Sequence, residues 1–163
     1  ALLVAHRPLW PLRHILLIVC GEEADSSATD WVLRLARADA AAVKVLAVVP
    51  PPAALHEQRR TAAPGHARDR QGLPALLSAD TPFGYELQAV ARRLEGQGIP
   101  SSLRLCQGPP EWQLRRELAG QDHDLVVMAL QPGEQGQGRS EALAATLLRW
   151  SGRPTLIARP VSW

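Results

Sequence analysis

Short, unbroken runs of apolar residues alternate along this chain with longer segments in which apolar residues recur every three or four positions. An apolar run of about 4–8 residues is too short for a globular helix and is typical of a strand buried on both faces. The runs predict six strands, at Ala1–Ala5, His14–Cys20, Ala42–Val49, Ser101–Cys106, Leu125–Leu130 and Thr155–Ala158. Strands of this kind belong to parallel sheets that are packed between helices.

The segments between the strands show helical periodicity. Phe83, Leu87, Val90 and Leu94 form one apolar stripe, and helices are also predicted from Ser26 to Ala38, from Glu111 to Ala119 and from Ser140 to Trp150. Because strands and helices alternate, we predict an α/β fold: an open, doubly wound parallel sheet of five strands plus a short extra N-terminal strand.

Composition narrows the class of protein. The chain has 163 residues, of which 46% are hydrophobic and 21% charged, which suits one globular domain. A net charge of +2 without a continuous basic stripe argues against a nucleic-acid partner. Since no apolar run is long enough to span a bilayer and no signal peptide is visible, we expect a cytoplasmic protein without direct membrane insertion.

Two segments fall outside the regular pattern. Residues 1–12 join a short apolar piece to a Pro-rich linker, so they are either the remnant of a preceding domain or an extra edge strand of the main domain, 13–163. Residues 51–79 lack clear periodicity and form a long variable loop, either a functional flap or a disordered insertion.

A glycine-rich stretch follows the strand that ends near Ala129. Gly133, Gly136 and Gly138 precede Arg139 and Ser140, and Ser140 could cap the next helix. A glycine loop that runs into a helix N-terminus offers free N–H groups to an anion. The alternative is that these glycines only make a mobile surface loop.

Catalytic patterns are weak. The five histidines are scattered and form no recognised motif, and Asp122-His123-Asp124 is interpreted as a solvated turn rather than a catalytic pair. Cys20 lies at the carboxyl end of a central strand and before a helix, where a thiol pKa can fall, although a buried structural cysteine is the favoured interpretation. We therefore expect no enzyme, no metal site and no catalytic residue, with weak ATP hydrolysis left open.

Several segments together resemble a universal stress protein domain. They read R-H-I-L-L-I-V-C-G from Arg13, V-L-A-V-V-P from Val45, G-P-P-E-W from Gly108, D-H-D-L-V-V-M-A from Asp122 and R-P-T-L-I-A-R-P from Arg153. The resemblance covers roughly residues 13–160. It implies a flavodoxin-like sheet with strand order 3-2-1-4-5, a stress-response role, and a homodimer, or pairing with a second similar domain, through the last strand. The residues of that dimer edge are Thr155, Leu156, Ile157 and Ala158.

Nucleotide-binding members of this family carry an aspartate after the first strand and a G-x2-G-x9-G motif, followed by Ser or Thr, after the fourth. Here Cys20 occupies the aspartate position, and the two leading glycines fall on Ala129 and Pro132. Starting the motif at Gly133 and Gly136 instead puts Thr146 where a glycine is required. The nucleotide-binding motif is thus degenerate, and no cofactor is expected.

The alternative is a sensor that binds ATP, AMP or a small anion in the crevice at the carboxyl ends of the strands. The residues that would form this site are Cys20, Gly21, Val48, Ala129, Gly133, Gly136, Gly138, Arg139 and Ser140. The first hypothesis predicts a regulatory domain that acts by association, and the second predicts a ligand-binding domain.

Overall fold

A computed structural model describes residues 2–4, 11–20, 26–49, 82–120, 123–130 and 134–159 of the chain. The strands in these ranges are β1 (Leu2–Val4), β2 (His14–Cys20), β3 (Ala42–Val49), β4 (Ser101–Gln107), β5 (Leu125–Ala129) and β6 (Thr155–Ala158). The helices are α1 (Ser26–Asp39), α2 (Pro82–Gly96), α3 (Pro110–Gly120) and α4 (Glu134–Trp150). The predicted loop 51–79 lies outside the described residues.

The strands form one sheet in the order β1-β6-β5-β2-β3-β4. Strands β2 to β6 are parallel to one another, with Ile15 of β2 paired with Val43 of β3 and with Leu125 of β5. Read from β4 to β6, these five strands have the predicted order 3-2-1-4-5. The predicted α/β class and doubly wound topology are confirmed.

Strand β2 explains why the central runs are apolar at every position. Ile15 and Leu17 belong to the core layer that includes the buried faces of α1 and α2, whereas Leu16 and Ile18 belong to the layer formed with α3 and α4. All four side chains are at most 3% exposed. Because successive side chains of a strand point to opposite faces, burial of both faces removes any polar alternation from the sequence.

Helix α4 differs from the prediction in two ways. Leu143 and Leu147 are buried as expected, but Trp150 is 55% exposed and its ring lies 4.4 Å from the guanidinium carbon of Arg115. The helix also begins at Glu134, so Ser140 is inside it and not at its N-cap. The residues 134–139, which were predicted to be loop, are helical.

Strand β1 changes the expected edge of the sheet. It pairs antiparallel with β6, with Leu2 opposite Ile157 and Val4 opposite Thr155. Strand β6 is therefore paired on both sides, by β1 and by β5. The outer side of Thr155–Ala158 is thus covered by β1, which agrees with the alternative of an extra N-terminal edge strand. Pairing of this strand with a second copy stays a prediction.

Removal of residues 1–5 is expected to promote self-association. The truncation would expose the outer backbone N–H and C=O groups of β6, and an uncovered edge strand is a template for pairing. Light scattering during size-exclusion chromatography should show a concentration-dependent dimer of the truncated chain, compared with the full chain at equal concentration. Equal masses for the two chains at every concentration would contradict the covering role of β1.

Candidate functional site

The carboxyl ends of the central strands meet at the edge of the sheet where ligands bind in open α/β folds. At this edge Cys20 of β2 is paired with Val48 of β3, and Val48 is paired with Cys106 of β4. These residues share one face of the sheet with Met128, and Leu130 packs against the same cluster. The described part of this row therefore presents sulfur and methyl groups.

The Cys20 thiol is not activated. Burial raises its pKa to about 12, even though the residue as a whole keeps partial exposure. Neither cysteine is part of a disulfide. They lie two strands apart, about 10 Å, which is too far for a disulfide. The thiol stays protonated at neutral pH, so the favoured interpretation as a structural cysteine agrees with the structure and a reactive redox sensor does not.

The other predicted site residues are only partly brought together. Ala129 ends β5 and is half-buried, and Val48 is fully buried. Gly136, Gly138 and Arg139 lie within the first turns of α4, while Ser140 is 4% exposed about two turns into the helix. Gly21 and Gly133 lie outside the described residues. Cys20 and Val48 are thus neighbours, but Ser140 does not stand at the helix N-terminus where it was expected.

The sequence matches the model of the universal stress protein family over residues 11–154. The chain belongs to the universal stress protein family. A search of curated proteins finds no matching sequence.

Solved structures with the same fold include three informative ones. The hypothetical protein MJ0577 is 14% identical with a TM-score of 0.64, and the alignment covers 93% of this chain and 99% of that one. A universal stress protein family protein from Arabidopsis thaliana with AMP bound is 14% identical with a TM-score of 0.57, covering 92% and 93%. The universal stress protein from Archaeoglobus fulgidus in complex with dAMP is 13% identical with a TM-score of 0.57, covering 89% and 96%.

Membrane-spanning helices and metal-binding clusters are both absent from the described residues. No helix there is both long enough and apolar enough to cross a membrane. Nor do His, Cys, Asp and Glu side chains in those ranges form a group of three or more that could hold a metal ion.

Charge is concentrated at the opposite, amino-terminal edge of the sheet. The carboxylate of Glu117 on α3 lies 2.6 Å from Lys44 Nζ and 2.8 Å from Arg104 Nη1. His123, just before β5, places Nε2 3.4 Å from the same carboxylate. The Glu117 side chain is 1% exposed, so this cluster joins α3 to β3 and β4 through a buried charge.

The pKa values of the cluster reflect competing causes. Burial alone would raise the pKa of Glu117, but the adjacent Lys44 and Arg104 outweigh it and lower the pKa. Burial also lowers the pKa of His123, the charge of Lys44 adds to that effect, and Glu117 opposes it. At neutral pH the cluster therefore contains an ionised Glu117 beside a neutral His123.

Sequence reasoning missed this cluster. His123 is 3% exposed, so the interpretation of a solvated turn is wrong for this residue. Asp124 is partly exposed, and its carboxylate accepts hydrogen bonds from the backbone N–H groups of Arg13 and His14. Asp122 lies outside the described residues. A signal was present: Lys44 interrupts an otherwise apolar strand, and Glu117 falls on the inward face of α3 one turn after Leu114.

Native Cys20 is expected to react slowly with alkylating reagents. Raising its pKa from the ordinary 9.0 to about 12 lowers the thiolate fraction about a thousandfold at neutral pH. In a Cys106→Ser variant, iodoacetamide labelling followed by intact mass should be slow in buffer and fast in urea. If the folded Cys106→Ser variant is labelled at the rate of an exposed thiol, the raised pKa of Cys20 is contradicted.

Acidification is expected to destabilise the fold. Because the folded-state pKa values of His123 and Glu117 are lowered, the unfolded chain binds protons first, below about 6.5 and 4.5 respectively. The contribution of these two residues to the free energy of unfolding is thus complete above pH 6.5. It is lost as the pH falls through their folded-state pKa values. Between pH 7.5 and 5, urea unfolding should show a smaller decrease in the free energy of unfolding for His123→Gln than for the wild type. Equal decreases would exclude His123 as the source of the pH dependence.

Proposed function

We propose that this domain has a regulatory, stress-response role and does not bind ATP in the manner of the nucleotide-binding members of its family. The observation that supports the proposal is that Cys20 occupies the position where those members carry an aspartate. Its protonated thiol lies among Val48, Cys106 and Met128 and offers no strong acceptor to a nucleoside. We propose no catalytic role for the domain. We propose that it acts in the cytoplasm.

The missing groups matter energetically. A hydrogen bond to a charged group contributes about 1.5–3 kcal/mol, so the loss of the aspartate alone would weaken a site by about 10- to 150-fold. Pro132, at a position of the second motif glycine, has no N–H to donate to a phosphate. The two losses together would turn a micromolar site into one of about millimolar affinity, too weak to hold ATP in the manner of the nucleotide-binding members.

Regulation would then act through association of sheet edges. Strand β6 is the strand expected to pair with a second copy or a similar domain, and β1 occupies its outer side in this chain. We propose that pairing requires β1 to leave β6. In the described residues three pairs join β1 to β6, Leu2 with Ile157, Leu3 with Leu156 and Val4 with Thr155. Such a short antiparallel pairing has a small free energy to overcome.

A nucleotide or small-anion sensor is the second candidate. It is favoured by the relatives solved with AMP and dAMP, and by the position of α4, whose N-terminus follows the carboxyl end of β5. A helix start at this edge supplies N–H groups and a positive dipole end to phosphates. On this alternative the crevice would bind ATP or AMP, and weak ATP hydrolysis would be included in it.

Isothermal titration calorimetry with ATP and Mg²⁺, and separately with AMP, tests the choice. The first proposal expects no heat from saturable binding at concentrations up to about 1 mM. A dissociation constant in the micromolar range would overturn it and establish the sensor.

Paired glycine variants locate any binding that is found. In the sensor, Gly136→Ala with Gly138→Ala should abolish nucleotide binding, because both glycines lie in the first turns of α4. Gly120→Ala is the matched control. A Cβ at residue 120 meets nothing within 4 Å, and this residue lies at the end of α3. Binding that survives the double substitution would show that the start of α4 is not the phosphate site.

A further inference from the structure

A cavity opens at the amino-terminal edge of the sheet, at the end opposite to the crevice discussed above. Its volume is about 520 Å³, within the range of small-molecule sites. Strand starts and the turns before them supply its lining, which consists of His14, Ile15, Ala42, Val43, Lys44, Pro100, Ser101, Ser102 and His123.

His123 is the unusual member of the lining. Its side chain is 4% exposed, and neither ring nitrogen makes a hydrogen bond to any described residue. Nε2 faces the ionised carboxylate of Glu117 at 3.4 Å, so the proton of the neutral ring is expected on Nε2. Nδ1 is then a buried acceptor without a donor, and a buried polar atom of this kind calls for a water or a ligand group.

Lys44 gives the cavity its charge. Its side chain keeps 22% exposure although Nζ is paired with Glu117, and Arg104 shares that carboxylate. Two cations therefore share one anion, which leaves one net positive charge in the cluster, and Lys44 is the cation that lines the cavity. The Asp124 carboxylate nearby is engaged by the N–H groups of Arg13 and His14. Among the described residues that line the cavity none is acidic, and Ser101 and Ser102 add exposed hydroxyl groups.

We propose that this cavity binds a small organic anion that also carries a hydroxyl group, such as a sugar phosphate or a hydroxy acid. The acid group is held by Lys44 and the hydroxyl of Ser102, which is the cross-strand partner of Lys44. The ligand hydroxyl donates to Nδ1 of His123, which a small rotation of the ring must first expose to the cavity because this atom is buried. An organic body is required because an inorganic ion would fill only a small part of the volume.

Nuclear magnetic resonance titration of the full chain tests the assignment. The probes are ribose 5-phosphate, L-malate and inorganic phosphate. At least one organic probe should bind with a dissociation constant below about 1 mM. It should shift the amide signals of residues 14, 42–44, 101–102 and 123 together with the His123 ring nitrogens. Ribose 5-phosphate and L-malate distinguish a phosphate from a carboxylate as the preferred acid group.

Three results would overturn the proposal. They are the absence of saturable shifts with both organic probes, shifts confined to Cys20, Val48 and Ala129 at the other edge, and equal affinity for inorganic phosphate and the organic probes. The last result would mean that only charge is recognised.

A substitution at the exposed Ser102 tests the role of Lys44 without breaking the buried cluster. Ser102→Asp places a carboxylate beside Lys44 and is expected to weaken binding of the organic probe at least about tenfold, because it repels the ligand and pairs with the ammonium group. Ser102→Asn removes the same hydroxyl and has the shape of Asp without its charge, so it should bind the probe at least about tenfold more tightly than Ser102→Asp. Equal affinity of the two variants would remove Lys44 from the site.

Discussion

Burial of β2 on both faces is the constraint on which the rest of this structure depends. Side chains that point alternately to two helical layers must all be apolar, and the strand can offer polar chemistry only at its two ends. His14 stands at one end and Cys20 at the other, and both are less buried than the four residues Ile15 to Ile18. Because the neighbouring strands β3 and β5 obey the same rule, polar groups of the central sheet collect at its edges.

The two edges of this sheet differ in polarity in an unexpected sense. Open α/β folds bind ligands at the carboxyl ends of strands, where helix N-termini point. In the described residues of this chain that edge carries Cys20 and Val48, whereas ionic groups are found at the amino ends, around Glu117. Desolvation explains the state of each group: it keeps the Cys20 thiol protonated, and it is overcome at Glu117 only because two cations are within 3 Å. Among the described residues, the clustered charged groups therefore lie at the amino-terminal edge.

Much of the architecture could be predicted from the sequence, because apolar runs and helical stripes report burial directly. The strand order followed from the family resemblance, and it was confirmed. Trp150 shows the limit of periodicity: its spacing from Leu143 and Leu147 fits the buried stripe, but the last turn of α4 extends past the core and the ring stacks with Arg115 instead. The Glu117 cluster could not be assembled from spacing, since its members come from two strands, a helix and a turn that meet only in the folded chain. For the same reason the pairing of β1 with β6 was one of several open alternatives.

Stability alone does not account for an ionic cluster at the amino edge. Removing one partner of a buried ion pair destabilises a fold, but apolar residues of similar volume often hold the same elements together equally well or better. Lys44, Arg104 and Glu117 could therefore be replaced in principle without loss of the contact between α3 and the sheet. What apolar residues would not supply is a cavity lining that contains the buried imidazole ring of His123 and the partly exposed side chain of Lys44. Recognition of a ligand therefore accounts better than the packing of α3 for the charged residues at the amino-terminal edge.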